Sequence, residues 1–129
     1  MSAAALPAIA PVRHQRRHQL RADFRVLRGL AKAALDTDRP LMAHVVVTRR
    51  CNLACGYCNE YDKVSPPVPT AEVRGWLAKL AELKTEIVTL SGGEPMLHPD
   101  VEQLIACIRE HRMIAGLITN GYFLQRERI

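Results

Sequence analysis

No stretch of this 129-residue chain approaches the roughly 18 consecutive apolar residues that a membrane-spanning helix needs, so no such helix is expected. Cysteine is scarce. Four are too few for a disulfide scaffold, and three of them crowd together as Cys51, Cys55 and Cys58, with Cys107 alone. The first 22 residues contain no acid, and through residue 32 only Asp23 offsets seven Lys/Arg, which leaves that segment at +6. Residues 33–129 hold eleven basic and twelve acidic side chains and carry −1. A surplus of positive charge is thus missing from the body of the chain, and no nucleic-acid partner is expected. What remains is ordinary: 48% hydrophobic and 24% charged residues bound the chain to about one globular domain and exclude a disordered tail or a collagen-like fibre. The opening MSAAALPAIAPVRHQRRHQL puts its apolar run before its charges, the reverse of a secretory signal, so a cytoplasmic location is the default expectation.

Residues 1–40 read as a basic arm. From Leu20 the apolar positions Phe24, Leu27, Leu30, Ala31, Ala34 and Leu35 recur at steps of three and four, with Arg21, Arg25, Arg28 and Lys32 on the other face. An amphipathic helix is expected there, docking on the domain behind it. Attachment to anionic lipid is an alternative for the same face, and an organellar presequence is a third.

Residues 41–129 alternate strand and helix signals. The β-branched run Met42–Thr48 reads as a buried strand; a polar, proline-rich loop follows at 59–69. Thr70 is a plausible N-cap for a helix bearing Val73, Trp76, Leu77, Leu80 and Leu83. A second short strand at 86–90 stops at Ser91-Gly92-Gly93-Glu94-Pro95, and Pro99-Asp100 opens a helix with Val101, Leu104, Ile105 and Ile108 on one face. A third strand is expected at 113–119, a turn at Asn120-Gly121, and the first turn of another helix at 125–129. This rhythm predicts an α/β fold of parallel strands joined by right-handed crossovers, with about three βα units present. A complete eight-unit barrel takes about 250 residues. The expectation is therefore a truncated half-barrel, with an unpaired last strand prone to association.

The spacing Cys51-x-x-x-Cys55-x-x-Cys58 places three thiols in one loop directly after a strand, at the sheet edge where ligands and catalytic groups gather. A four-iron cluster held by three thiolates keeps one iron open, whereas structural zinc is closed by four protein ligands. Zinc completed by Cys107 or a histidine is the alternative. Cys107, between Leu104 and Ile108 on the second helix, reads better as a small buried thiol, and His98 as a solvated or capping residue.

Thr48-Arg49-Arg50-Cys51-Asn52-Leu53-Ala54-Cys55-Gly56-Tyr57-Cys58, then Ser91-Gly92-Gly93-Glu94-Pro95, then Thr119-Asn120-Gly121, in that order, resembles the radical S-adenosylmethionine superfamily over about residues 43–123. The resemblance implies a partial (β/α) barrel of that type, of which this chain carries the N-terminal half. It implies a [4Fe-4S] cluster on Cys51, Cys55 and Cys58, with the open iron chelated by S-adenosylmethionine. Reductive cleavage of the sulfonium would give a 5′-deoxyadenosyl radical that abstracts hydrogen from a small-molecule or peptide substrate. A flavodoxin- or ferredoxin-type electron donor is implied as well. Gly92 and Gly93 would let the backbone pass close to the methionine moiety, with Glu94 accepting from its ammonium group, unless the three simply form a turn. Tyr57 falls where the family places an aromatic near the adenine, or is a packing plug. Thr119 and Asn120 end the third strand on the same rim and would reach cofactor or substrate, or are turn formers. Arg49 and Arg50 would offset the charge of the cluster, or are solvated rim residues. The arrangement is similar to the GTP-cyclising enzyme of molybdopterin synthesis and to the peptide-modifying and hopanoid-pathway branches. A non-catalytic module, either structural zinc or an electron-transfer scaffold, is the competing reading.

Overall fold

The computed structural model describes residues 24, 27–29, 31, 39–59 and 61–124. Apart from the five residues named first, the arm and its expected helix lie outside the described residues, as does the helical turn expected at 125–129. Within the description the chain runs β1 (Met42–Thr48), α1 (Thr70–Glu82), β2 (Ile87–Gly92), a short 3-10 turn (Pro95–Leu97), α2 (Val101–Glu110) and β3 (Ile114–Leu117). The α/β alternation expected from the sequence is thus present as a parallel sheet in the order β1-β2-β3. Among the described residues no helix is long and apolar enough to cross a membrane.

Strand order follows chain order, so two crossovers of the same hand lay their helices on the same face of the sheet. Side chains on alternate positions meet them there. Val45 and Val47 of β1 and Val88 and Leu90 of β2 pack against Val73 and Leu77 of α1 and against Val101, Leu104, Cys107 and Ile108 of α2. The spacing of four between Val73 and Leu77, and of three and four along α2, keeps each set on one helix face. Cys107 is the buried core thiol that the helical pattern led us to expect. The opposite face of the sheet, with Met42, His44 and Val46 exposed, is uncovered among the described residues. Three strands make an open sheet, and that is as far as the expected barrel is realised.

Several boundaries differ from expectation for local reasons. β2 runs on through Ser91 and Gly92, because Gly92 still pairs with Thr48, and β3 is only four residues long. Thr70 is the first helical residue and not the cap. Pro69 stands at the N-cap, and the Thr70 hydroxyl instead donates to Asp100 Oδ2 at 2.5 Å. Trp76 and Leu83, expected on the buried face of α1, are partly exposed. His98 is not solvated: it is 2% exposed, its Nε2 donates to the Val68 carbonyl at 2.8 Å, and its Nδ1 accepts from the Asp100 amide at 3.1 Å. That amide belongs to the N-cap of α2, so the capping half of the expectation holds.

His98 therefore straps the loop before α1 to the start of α2. Replacing it with Leu strands the Val68 carbonyl and the Asp100 amide, at a cost of about 1–3 kcal/mol for a buried unsatisfied group. The urea midpoint of His98→Leu, followed by circular dichroism, is expected to fall accordingly; an unchanged midpoint would mean the strap carries no stability.

Candidate metal and cofactor site

Parallel strands all end on one side, so the three motifs arrive at a single rim. β1 delivers the loop of Cys51, Cys55 and Cys58, β2 delivers Gly92-Gly93-Glu94, and β3 delivers Thr119-Asn120. Register shifts between Val46 and Thr48, an irregularity that re-aims the end of β1 just before the cysteines.

The first two exits lie against each other with no room for side chains. A Cβ on Gly92, whose φ is +137°, would stand 2.0 Å from the Thr48 carbonyl oxygen; one on Gly93 would stand 2.4 Å from that of Arg49 and 2.5 Å from that of Arg50. The Gly93 amide donates to Thr48 O and the Glu94 amide to Arg50 O, each at 2.9 Å. The space the glycines leave is thus filled by the backbone that leads into the cysteine loop. The missing Cβ atoms are therefore needed for strand packing, whatever else this rim receives.

Glu94 is fully buried and ties β2 to β3. Its Oε1 accepts from the Met96 amide at 2.9 Å and from the Thr119 hydroxyl at 2.8 Å, and its Oε2 accepts from the Asn120 amide at 2.8 Å. Asn120 passes the connection on: its Nδ2 donates to Asn52 Oδ1 at 2.9 Å and lies 4.0 Å from Cys51 Sγ. The strand ends carrying Thr119 and Asn120 and the cysteine loop are therefore one hydrogen-bonded unit. Asn52, with no role expected from its place in the motif, is the link.

Cys51, Cys55 and Cys58 are free and half-buried. The Leu53 amide donates to Cys51 Sγ at 3.4 Å, and the Cys58 amide closes a turn on the Cys55 carbonyl at 3.0 Å. N–H groups directed at a sulfur stabilise the charge of a thiolate ligand and of a cluster built on it, so this donor set fits an iron–sulfur cluster. Among the described residues no three His, Cys, Asp or Glu side chains are gathered to hold a single metal ion. Cys107 sits in the core and not on the rim, which removes it as a fourth ligand for zinc.

Tyr57 is 91% exposed and plugs nothing. Hydrogen bonding to Cys55, and then the negative charge of that thiolate, hold its phenol above its ordinary range. Arg49 ion-pairs with Asp62 at 3.5 Å while remaining largely exposed, and Arg50 is exposed.

Asp62 was missed by sequence reasoning, since one aspartate in a polar loop carries no signal of its own. Its backbone brackets the start of the cysteine loop: the Asp62 amide donates to Arg49 O at 2.9 Å, and the Cys51 amide to Asp62 O at 3.2 Å. Its carboxylate accepts from the Ser65 hydroxyl, from the Ser65 amide at 2.7 Å and from the Val64 amide at 3.0 Å. The Ser65 hydroxyl, then the Ser65 amide, hold its pKa below the ordinary 3.8 against the opposing effect of burial, with the Val64 amide and Arg49 adding to the lowering.

Comparison with known proteins agrees with this geometry. A sequence model of the family described as the Radical SAM superfamily matches residues 45–129. The PqqA peptide cyclase of Gluconobacter oxydans is 33% identical over 93 residues, which are 70% of this chain and 26% of that protein. The Fe-coproporphyrin III synthase of Methanosarcina barkeri is 36% identical over 84 residues, 63% of this chain and 21% of that protein. This chain thus spans about a quarter of the length of the curated relatives it matches. SuiB of Streptococcus suis, solved bound to S-adenosylmethionine, shares the fold with a TM-score of 0.60 at 22% identity, covering 77% of this chain and 24% of SuiB. The same protein bound to the precursor peptide SuiA gives 0.62 at 18% identity, over 98% and 28%.

The clip formed by Asp62 has a folded pKa below its unfolded one. Its contribution is therefore complete above the ordinary carboxylate value and is lost as pH falls through the lower folded value. In Asp62→Ala the Cys51 amide is expected to exchange with solvent faster than in the native chain near neutral pH. On acidification below 3.8 the difference is expected to close. Equal exchange near neutrality would mean that the Asp62 carboxylate does not help to hold the backbone clip.

Proposed function

The chain belongs to the radical S-adenosylmethionine superfamily, and on that premise we propose that it is the cluster-bearing part of an enzyme acting on a peptide. The observation that carries the reading is the junction of the three motifs at one rim, where Glu94, Asn120 and Asn52 join the third strand to the loop of Cys51. Cys51, Cys55 and Cys58 would hold a [4Fe-4S] cluster, and the rim formed by Gly92, Gly93, Thr119 and Asn120, with Tyr57 beside it, would receive S-adenosylmethionine. When bound, that pair supplies reductive cleavage of the sulfonium and abstraction of a hydrogen atom from the substrate.

The protein's own residues do the positioning. Glu94, which accepts from three donors within the fold, orients Thr119 and the Asn120 amide through hydrogen bonds and is a positioning residue in this reading. The Leu53 amide and the Asn120 side chain are placed to stabilise the Cys51 thiolate. Tyr57, exposed on the cysteine loop beside Cys55, presents its ring where a planar group could stack. A flavodoxin- or ferredoxin-type protein would supply the electron, and a cytoplasmic setting would keep the thiols reduced. The peptide rests on relatives named as peptide cyclases and on SuiB, solved with its precursor peptide. The coproporphyrin synthase, equally similar, is the reason the substrate needs a direct test.

The test is anaerobic reconstitution with iron and sulfide, followed by electron paramagnetic resonance of the reduced protein with and without S-adenosylmethionine. A cluster signal that changes on adding the cofactor is expected. Cys51→Ala, Cys55→Ala and Cys58→Ala are each expected to abolish stable cluster binding, while Cys107→Ala leaves iron content unchanged. Equal loss in all four, or stoichiometric zinc and no acid-labile sulfide, would sink the reading and favour the non-catalytic metal module.

A further inference from the structure

The rim where the strands begin carries a second constellation, about 20 Å from the first given the six residues of β2 and a rise of about 3.3 Å each. Arg39 precedes β1, Thr85 and Glu86 precede β2, and Arg112 precedes β3. A cavity of about 200 Å³ opens among them, and Arg28 and Lys84 also line it.

Among the described residues, positive charge in this cavity is underpaired. Arg39 donates to Glu86 at 3.1 Å, but Arg28, Lys84 and Arg112 have no ion pair among the described residues, so four cations share one carboxylate. Two buried polar atoms of the same wall also lack partners: Arg39 Nε, on a side chain 8% exposed, and Thr85 Oγ1, on a residue 4% exposed. Buried N–H and O–H groups are nearly always satisfied, and a guanidinium nitrogen only donates. Among the described residues, these two atoms can therefore be satisfied by an acceptor that the wall itself does not provide.

The backbone supports the same conclusion. Lys84 and Arg112 stand at φ 59° and 62°, each in the turn that leaves a helix. Glycine or asparagine takes such positions with least strain, yet a long cation occupies both. The helix dipole favours a cation at each helix end, and Lys79 and Arg109 in the last turns already answer it. It does not account for the convergence of both turn cations with Arg28 on a wall that already holds an unsatisfied Arg39.

We propose that this cavity binds an oxyanion of the phosphate class, with Arg39 Nε and Thr85 Oγ1 as its buried donors and Lys84, Arg112 and Arg28 as its exposed cations. A tetrahedral dianion suits the site better than a carboxylate, because it offers more oxygens to donors that arrive from separate chain segments. The phosphoryl group is either free in solution or carried on a lipid headgroup. The site shares no residue with the cysteine rim, so it stands or falls apart from the cluster chemistry.

Inorganic phosphate titrated into the full chain at constant ionic strength, followed by calorimetry and thermal unfolding, is the test. Saturable heat and a raised Tm are expected. Lys84→Asn with Arg112→Asn, chosen because asparagine tolerates the left-handed backbone, is expected to weaken binding at least tenfold. Thr85→Val, which changes no charge, is expected to weaken it as well. Phosphate also stabilises folded proteins by exclusion from their surface. A rise in Tm equal in the native chain and both variants overturns the proposal, as does an absence of saturable heat. Flotation with vesicles containing phosphatidic acid, lost in the double variant, would uphold the site and assign it to a headgroup. Saturable phosphate binding without flotation would uphold it for a soluble phosphoryl group.

Discussion

Burying a carboxylate costs several kcal/mol unless donors replace the water it gives up. Glu94 has no exposed surface, and two backbone amides and a hydroxyl take the place of that water. Because those donors belong to the turn that follows β2 and to the segment that follows β3, the two exits are fixed relative to one another. Asn120 then reaches Asn52 and the sulfur of Cys51, so the position of the cysteine loop depends on the same carboxylate at one remove. On the other side, Gly92 and Gly93 let the β1 exit lie directly on the β2 exit. The rim is thus a closed set of contacts among three strand ends, each positioned by the next.

Much of this was legible in the sequence, and the parts that were not share a physical cause. β1 was read to the residue, since four β-branched residues in a run of seven leave little else for it to be. The helices were legible from periodicity, and Cys107 from its place between Leu104 and Ile108. The motif residues do converge on one rim, as the order of the strands required. What escaped notice depends on partners far away in the chain. His98 looks like a solvated histidine until Val68, thirty residues earlier, presents a carbonyl to it. Thr70 looks like a cap until Asp100 takes its hydroxyl. Nothing near the two glycines in the chain signals that their backbone lies directly on that of Thr48, Arg49 and Arg50. Asp62 gave no signal because its work is done by backbone atoms, which every residue possesses.

The sheet divides the labour between its ends. Its middle is apolar and covered on one side by α1 and α2, with Leu77, Leu90, Leu104 and Ile108 fully buried. The cysteine rim, by contrast, is nearly all hydrogen bonds. A parallel sheet separates its two rims by the length of its strands, so the cysteine loop and a cluster of cations occupy the same small fold without their fields interfering at physiological screening.

The sequence separations within the cysteine rim also set an order of assembly. The bracket between Asp62 and the segment from Arg49 to Cys51 is local and closes as soon as that loop is made, whereas the link from Asn120 to Asn52 spans 68 residues. Loop closure over that distance comes after the local contacts, and on the ribosome it waits for β3 to emerge. During synthesis the cysteines are therefore already held in their loop while the wall opposite them is still missing. The thiols are least shielded in that interval, before the segment bearing Asn120 closes on Cys51.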